Sequence, residues 1–187
     1  MNRIIFITLS FVLACINADL AVAENKPDIY QLHQGDKVLI SVWREDTLQR
    51  EVLVLPDGSI TFPLIGRVDV AGLDTLEVQR RITAKLKEYL PDPVVTVTIA
   101  GTDGNRAYVM GKVIHPGSLI ISGPTTVLQA ISIVGGFDKF ADEGGIKVIR
   151  ATADGQEVIS VRYKNIISGK DMSTNIVLKA GDTVVVP

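Results

Sequence analysis

The 187 residues carry 19 Lys and Arg against 21 Asp and Glu, a net charge of -2 with a pI near 5.7. That balance excludes a nucleic-acid binder, whose affinity rests on a basic face that displaces counterions. Hydrophobic residues at 47% and charged ones at 21% describe an ordinary globular chain, with length for one medium domain or two small ones.

Residues 1–23 read as a secretory leader. Arg3 is its basic start, Ile4 to Ile16 its apolar stretch, and Ala21-Val22-Ala23 a small-x-small cleavage site. The apolar stretch is shorter than the about 20 residues a bilayer span needs. The single cysteine, Cys15, follows Val12-Leu13-Ala14 in a pattern that resembles a lipobox, so two readings stand. Cleavage after Ala23 is preferred, and acylation at Cys15 is the alternative. One cysteine allows no disulfide within the chain, so stability must come from core burial. Residues 24–29 form a short polar tether, and the exported protein is expected to be soluble.

From Tyr30 the pattern turns strand-like. Val38, Ile40 and Val42 share one face, with Leu39, Ser41 and Trp43 on the other. Glu51 to Leu55 and Ser59 to Phe62 read as a hairpin reversed at Pro56-Asp57-Gly58, and a second short strand follows the proline stop at Pro63. Asp74 and Glu77 have capping-box spacing before a helix whose apolar stripe is Val78, Ile82 and Leu86. Pro91-Asp92-Pro93 is expected to end that helix, and Val94 to Ile99 to form another strand. If this strand is an edge, a neighbouring subunit could pair with it; a covered edge is equally compatible with the pattern.

Ala100 to Asn105 is the natural boundary, polar and glycine-rich, so residues 30–100 and 106–187 are expected as two units. The second opens with a strand from Tyr108 to Ile114, turns at His115-Pro116-Gly117 and returns through Ser118 to Ile121. Thr126 and Gln129 repeat the capping-box spacing, with Leu128, Ile131 and Val134 as the buried stripe and Gly135-Gly136 as the stop. Strands at Ile146 to Arg150 and Gln156 to Arg162 flank an Asp154-Gly155 turn, and Thr183 to Val186 closes the chain after Gly181-Asp182. The fold class is α+β: two small β-rich domains, each with one main helix. Gly35-Asp36 and Gly181-Asp182 each precede an apolar strand, an echo too short to establish duplication.

Catalytic chemistry is hard to find. His33 and His115 are isolated and read as exposed turn residues, so no metal site is expected. Asp57, Asp154 and Asp182 sit beside glycines, where aspartate bonds its own backbone. Gly135-Gly136 and Gly144-Gly145 lack the G-x-x-x-x-G-K-S/T pattern of a phosphate loop. Neither a Ser-His-acid nor a Cys-His set is visible, and no cofactor is implied.

Taken in order, these segments resemble a known family. Tyr30-Gln31-Leu32, Gly35-Asp36, Asp57-Gly58-Ser59-Ile60, Phe62-Pro63-Leu64-Ile65-Gly66 and the helix before Pro93 resemble the polysaccharide export domain of bacterial capsule and exopolysaccharide transporters. Val109-Met110-Gly111-Lys112-Val113, Pro116-Gly117, Thr126 to Ile131, Gly135-Gly136, Ile146 to Arg150 and Gly181-Asp182-Thr183-Val184 resemble its soluble-ligand-binding β-grasp (SLBB) module. The resemblance implies a non-enzymatic export component, periplasmic or associated with the outer membrane, that assembles as a homo-oligomeric ring. Implied partners are the polysaccharide, an inner-membrane copolymerase or tyrosine autokinase, and a separate outer-membrane component. The sequence stops at Pro187 with one such β-grasp unit and no barrel-forming helix, so a short ring or adaptor is the expected form.

Trp43, the one tryptophan, sits at a strand end beside Arg44, Glu45 and Asp46. Burial against the helix is its preferred reading, because aromatic side chains chiefly supply core area. The alternative is a sugar contact, with a pyranose stacked on the indole. Two competing functions stand beside export: a periplasmic module sensing sugar or peptidoglycan, and, least supported, an enzyme acting on the polymer.

Overall fold

The computed structural model describes residues 29–187. The leader, both processing sites at Cys15 and Ala23, and residues 24–28 of the tether lie outside the described residues. Among the described residues no helix is long and apolar enough to cross a membrane.

The first unit is built around β1 (Lys37–Val42), whose Val38, Ile40 and Val42 point into the core as the alternation requires. β1 lies between β2 (Arg50–Leu53) and β5 (Val95–Gly101), antiparallel to both. β3 (Ser59–Phe62) and β4 (Gly66–Asp69) form a separate two-stranded sheet. α1 (Thr75–Leu86) packs against β5, and its Val78, Ile82 and Leu86 are fully buried. Each such aliphatic side chain contributes about 1.5–3 kcal/mol of burial.

Two expectations need correction here. The reversal at Pro56-Asp57-Gly58 exists, with the Gly58 N–H donating to the Leu55 carbonyl at 2.9 Å and the Leu55 N–H to that of Ser59 at 2.8 Å. The ladder stops there, because the two strands belong to different sheets: β2 runs along β1 and β3 along β4. Asp57 explains the choice. It accepts from the Ser59 hydroxyl at 2.7 Å and pairs with Arg67 of β4 at 3.0 Å, docking the turn on β4. Those hydrogen bonds from Ser59, with Arg67 nearby, hold the Asp57 carboxyl below the usual range.

Likewise α1 does not run to the prolines. It ends at Leu86, and a looser turn carries the chain through Leu90, whose N–H reaches the Leu86 carbonyl at 2.9 Å. Asp74 caps the helix by accepting the Glu77 N–H at 2.8 Å, while Glu77 turns outward to Arg80 and Arg81.

The second unit is a five-stranded sheet, ordered β7-β6-β10-β8-β9, with two short helices. β6 (Arg106–Gly111) and β7 (Gly117–Ile120) form a hairpin, as do β8 (Lys147–Thr152) and β9 (Gly155–Ser160). β10 (Thr183–Val186) slots between them, parallel to β6 and antiparallel to β8. α2 (Val127–Ile133) carries a complete capping box from Thr126 and Gln129. Val127, Ala130 and Ile131 are its buried residues, so Leu128 packs only at the margin. α2 ends at the glycine pair as expected, the Gly136 N–H bonding the Ile131 carbonyl at 2.9 Å. α3 (Tyr163–Ile167) is an additional short helix that seats Ile166 in the core, so β9 stops before Arg162.

Each unit holds one completely buried carboxylate. Asp36 accepts from the Tyr30 hydroxyl at 2.6 Å, the His33 N–H at 2.8 Å and the Gly104 N–H at 2.9 Å. Asp182 accepts from Arg150 at 2.9 and 2.6 Å and from the Lys179 N–H at 2.8 Å. Full partnering is what allows a carboxylate to be buried at all. Asp182 is therefore a structural ion pair rather than a simple turn residue.

The junction is bonded to both units. Asp103 pairs with Lys37 on one side at 3.9 Å and with Arg106 on the other at 3.2 Å. Asn105 bonds into the second unit: its carbonyl accepts the Ile121 N–H at 2.7 Å, and its side-chain amide donates to the Ile121 carbonyl at 2.6 Å.

Candidate functional site

Trp43 marks the site. The alternation that buries Val42 sends the next side chain to the opposite face, and the Trp43 N–H donates to the Val94 carbonyl at 2.9 Å. Among the described residues no layer covers that face, and Trp43 is 70% exposed, with Val94 beside it 60% exposed. Burial against the helix, the preferred reading, is thus overturned. α1 packs on β5 and fills the core with its aliphatic stripe, leaving no place for the indole.

Immediately after Trp43 the chain turns a corner. Arg44 has φ of 64°, a left-handed conformation that side chains rarely adopt. The Glu45 N–H bonds back to the Val42 carbonyl at 3.1 Å, and a single 3-10 turn (Asp46–Leu48) returns Leu48 to the core. Asp92, across the site, is also left-handed at 48°. Two of the three non-glycine residues with positive φ among the described residues therefore border one small surface, where strain tends to gather at functional sites.

The surface is a pair of shallow hollows flanking the indole. One, about 430 Å³, is lined by Ser41, Gln49, Thr96, Asp46, Arg44 and Val94. The other, about 300 Å³, is lined by Glu45, Leu90, Pro91, Asp92, Pro93 and Val94 along with Trp43 and Arg44. An exposed aromatic face ringed by hydroxyl, amide and carboxylate groups suits a sugar, which offers an apolar C–H face and a rim of hydroxyls.

Among the described residues no group of His, Cys, Asp and Glu is arranged to hold a metal. His115 is exposed, as expected. His33 is not a free turn residue: it is part-buried, its ring 3.3 Å from the Tyr30 hydroxyl. Asp154 is exposed, whereas Asp57 and Asp182 are committed to Arg67 and Arg150.

The sequence singled out Trp43 but not its neighbours Gln49, Asp92, Val94 and Thr96. The usable signal was pairing. Once the segment from Val94 to Ile99 lies antiparallel to β1, which ends one residue before Trp43, Val94 and Thr96 fall next to the indole.

Sequence comparison places these two units in known families. Residues 24–100 match the family described as polysaccharide biosynthesis/export protein, and residues 105–186 match the SLBB domain. The pairing defines a class, a polysaccharide export domain followed by an SLBB domain. The chain belongs to the bacterial polysaccharide export family. It is 32% identical over 133 residues to the EPS I polysaccharide export outer membrane protein EpsA of Ralstonia solanacearum, covering 71% of this chain and 34% of that protein. It is 26% identical over 132 residues to the capsule polysaccharide export protein BexD of Haemophilus influenzae, covering 71% of this chain and 32% of that one. Against the polysialic acid transport protein KpsD of Escherichia coli it is 31% identical over 115 residues, covering 60% and 20%. The chain thus spans about a third of the length of EpsA and BexD and a fifth of KpsD.

Proposed function

We propose that this protein is a non-catalytic, periplasmic component of capsule or exopolysaccharide export that forms or adapts an oligomeric conduit and touches the polymer through Trp43. The exposed Trp43 corner on the export domain carries this reading. Its hollows are shallow and polar-rimmed, suited to weak, exchangeable contacts with a sliding chain rather than to tight capture.

Assembly has a structural basis in β5, an edge strand of its sheet, where a second copy can add hydrogen bonds. Copies related by a closing rotation make a ring, and a ring offers Trp43 to the polymer repeatedly. The remaining partners are an inner-membrane copolymerase or tyrosine autokinase and an outer-membrane component. The secretory leader fits a periplasmic location, with Cys15 as its anchor if acylated.

Deleting the gene tests this reading. The strain is expected to synthesise polymer and retain it inside the envelope. Unchanged surface polysaccharide in the deletion strain would refute it.

A further inference from the structure

We infer that the Trp43 corner selects uncharged glycan over acidic glycan. This rests on the reading that polymer is bound there, and adds which class of polymer.

The selection follows from the charges lining the two hollows. Arg44 is the one cation, against Glu45, Asp46 and Asp92, giving +1 − 3 = −2. None of these four engages in an ion pair among the described residues, so their charges face whatever occupies the site. The remaining polar rim is neutral: Ser41, Gln49 and Thr96.

A neutral sugar satisfies this rim well. Its hydroxyls donate to the carboxylates of Glu45, Asp46 and Asp92 in charge-assisted hydrogen bonds, and Arg44 donates to ring or hydroxyl oxygens. Stacking on the indole is indifferent to charge elsewhere on the polymer. A uronic or sialic acid replaces a donating group with a carboxylate, which only Arg44 can receive and the three acidic side chains repel. Because the hollows are open to water, the repulsion is moderate and screened by salt.

The chain's one tryptophan makes the site its own reporter. The purified full chain is titrated with hexagalacturonate and with the same hexamer after carboxyl reduction to its neutral form, following indole fluorescence. Linkage and length are then matched and only charge differs. The neutral hexamer is expected to bind about threefold or more tightly in about 10 mM salt, with the gap closing towards about 150 mM. The Glu45→Gln/Asp46→Asn/Asp92→Asn variant, confirmed as folded by circular dichroism, keeps Arg44 as the one charge of the site and should reverse the preference in low salt, binding the acidic hexamer more tightly than the neutral one; asparagine tolerates the left-handed backbone at position 92. Equal or tighter binding of the acidic hexamer by the unsubstituted chain would overturn the charge selection while leaving the sugar contact standing. No fluorescence response to either hexamer would overturn the contact itself, and the selection with it.

Discussion

Asp36 and Asp182 occupy the same place in the same turn at the head of two different sheets. Each N–H donates to the carbonyl three residues back, His33 or Lys179, at 3.1 Å, and each carboxylate accepts that residue's N–H at 2.8 Å. Each follows a glycine with positive φ, 93° at Gly35 and 85° at Gly181, and each leads directly into an interior strand, β1 or β10. The echo visible as two Gly-Asp pairs in the sequence is a real structural repeat. Only the third set of partners differs: Tyr30 and Gly104 for Asp36, Arg150 for Asp182.

Arg150 is held by that difference. Its hydrogen bonds to Asp182 raise the guanidinium pKa above its ordinary value, in spite of partial burial. Arg150→Met leaves the Asp182 charge buried and unpaired, and should cost about 3–5 kcal/mol in urea unfolding of the second unit. Arg150→Met/Asp182→Asn should recover part of that loss, because the coupling is pairwise.

At Asp36 the partner is a phenol. Burial first, and then the hydrogen bond and charge of Asp36, push the Tyr30 hydroxyl above its ordinary value of 10.0. A group raised in the folded state contributes stability that is complete below its unfolded pKa and declines as pH rises beyond it. Stability should therefore fall above pH 10.0 with a Tyr30-dependent slope, and Tyr30→Phe should remove that part of the slope. At neutral pH the same substitution should cost about 1–3 kcal/mol by withdrawing a partner from a buried carboxylate. Thermal melts across the alkaline range check both effects.

Gly104 has no room for a side chain. A Cβ there would collide with the Gln34 carbonyl and approach Asp36 Oδ1 to 2.9 Å, displacing the N–H that Asp36 accepts. Gly104→Ala should lower stability by about 2 kcal/mol or more, in the range of severe backbone and burial defects. Gly123→Ala, where a Cβ meets nothing within 4 Å, should leave the melting temperature unchanged.

Trp43→Ala removes the largest exposed apolar side chain of the corner without opening the core. Its unfolding free energy should stay within about 0.5 kcal/mol of the unsubstituted protein. A larger loss in chemical denaturation would show that the indole packs in the fold rather than facing a ligand.

Much of this fold was legible because local chemistry agreed with the tertiary outcome. Asp74 and Thr126 cap helices, the Val38-Ile40-Val42 alternation faces the core, and the reversal expected at Asp154-Gly155 joins β8 to β9, with Ala153 and Asp154 in the turn and Gly155 opening β9. What was not legible depends on distant partners. Pro56-Asp57-Gly58 makes the reversal, but Arg67 and β1 decide which sheets the flanking strands join. β10 reaches its parallel place beside β6 from more than 70 positions along the chain, between Tyr108 and Thr183. α3 has no side-chain cap and only five residues, too few to show a period. At the candidate site, alternation put Trp43 opposite Val42, yet nothing local says whether a second layer covers that face.

The central claim is that export of the polymer requires the indole of Trp43, and complementation of the deletion strain tests it most directly. Trp43→Ala protein should reach the level of the unsubstituted chain, keep its fold, and still fail to restore surface polysaccharide. Full restoration of surface polysaccharide by the Trp43→Ala protein would contradict the account.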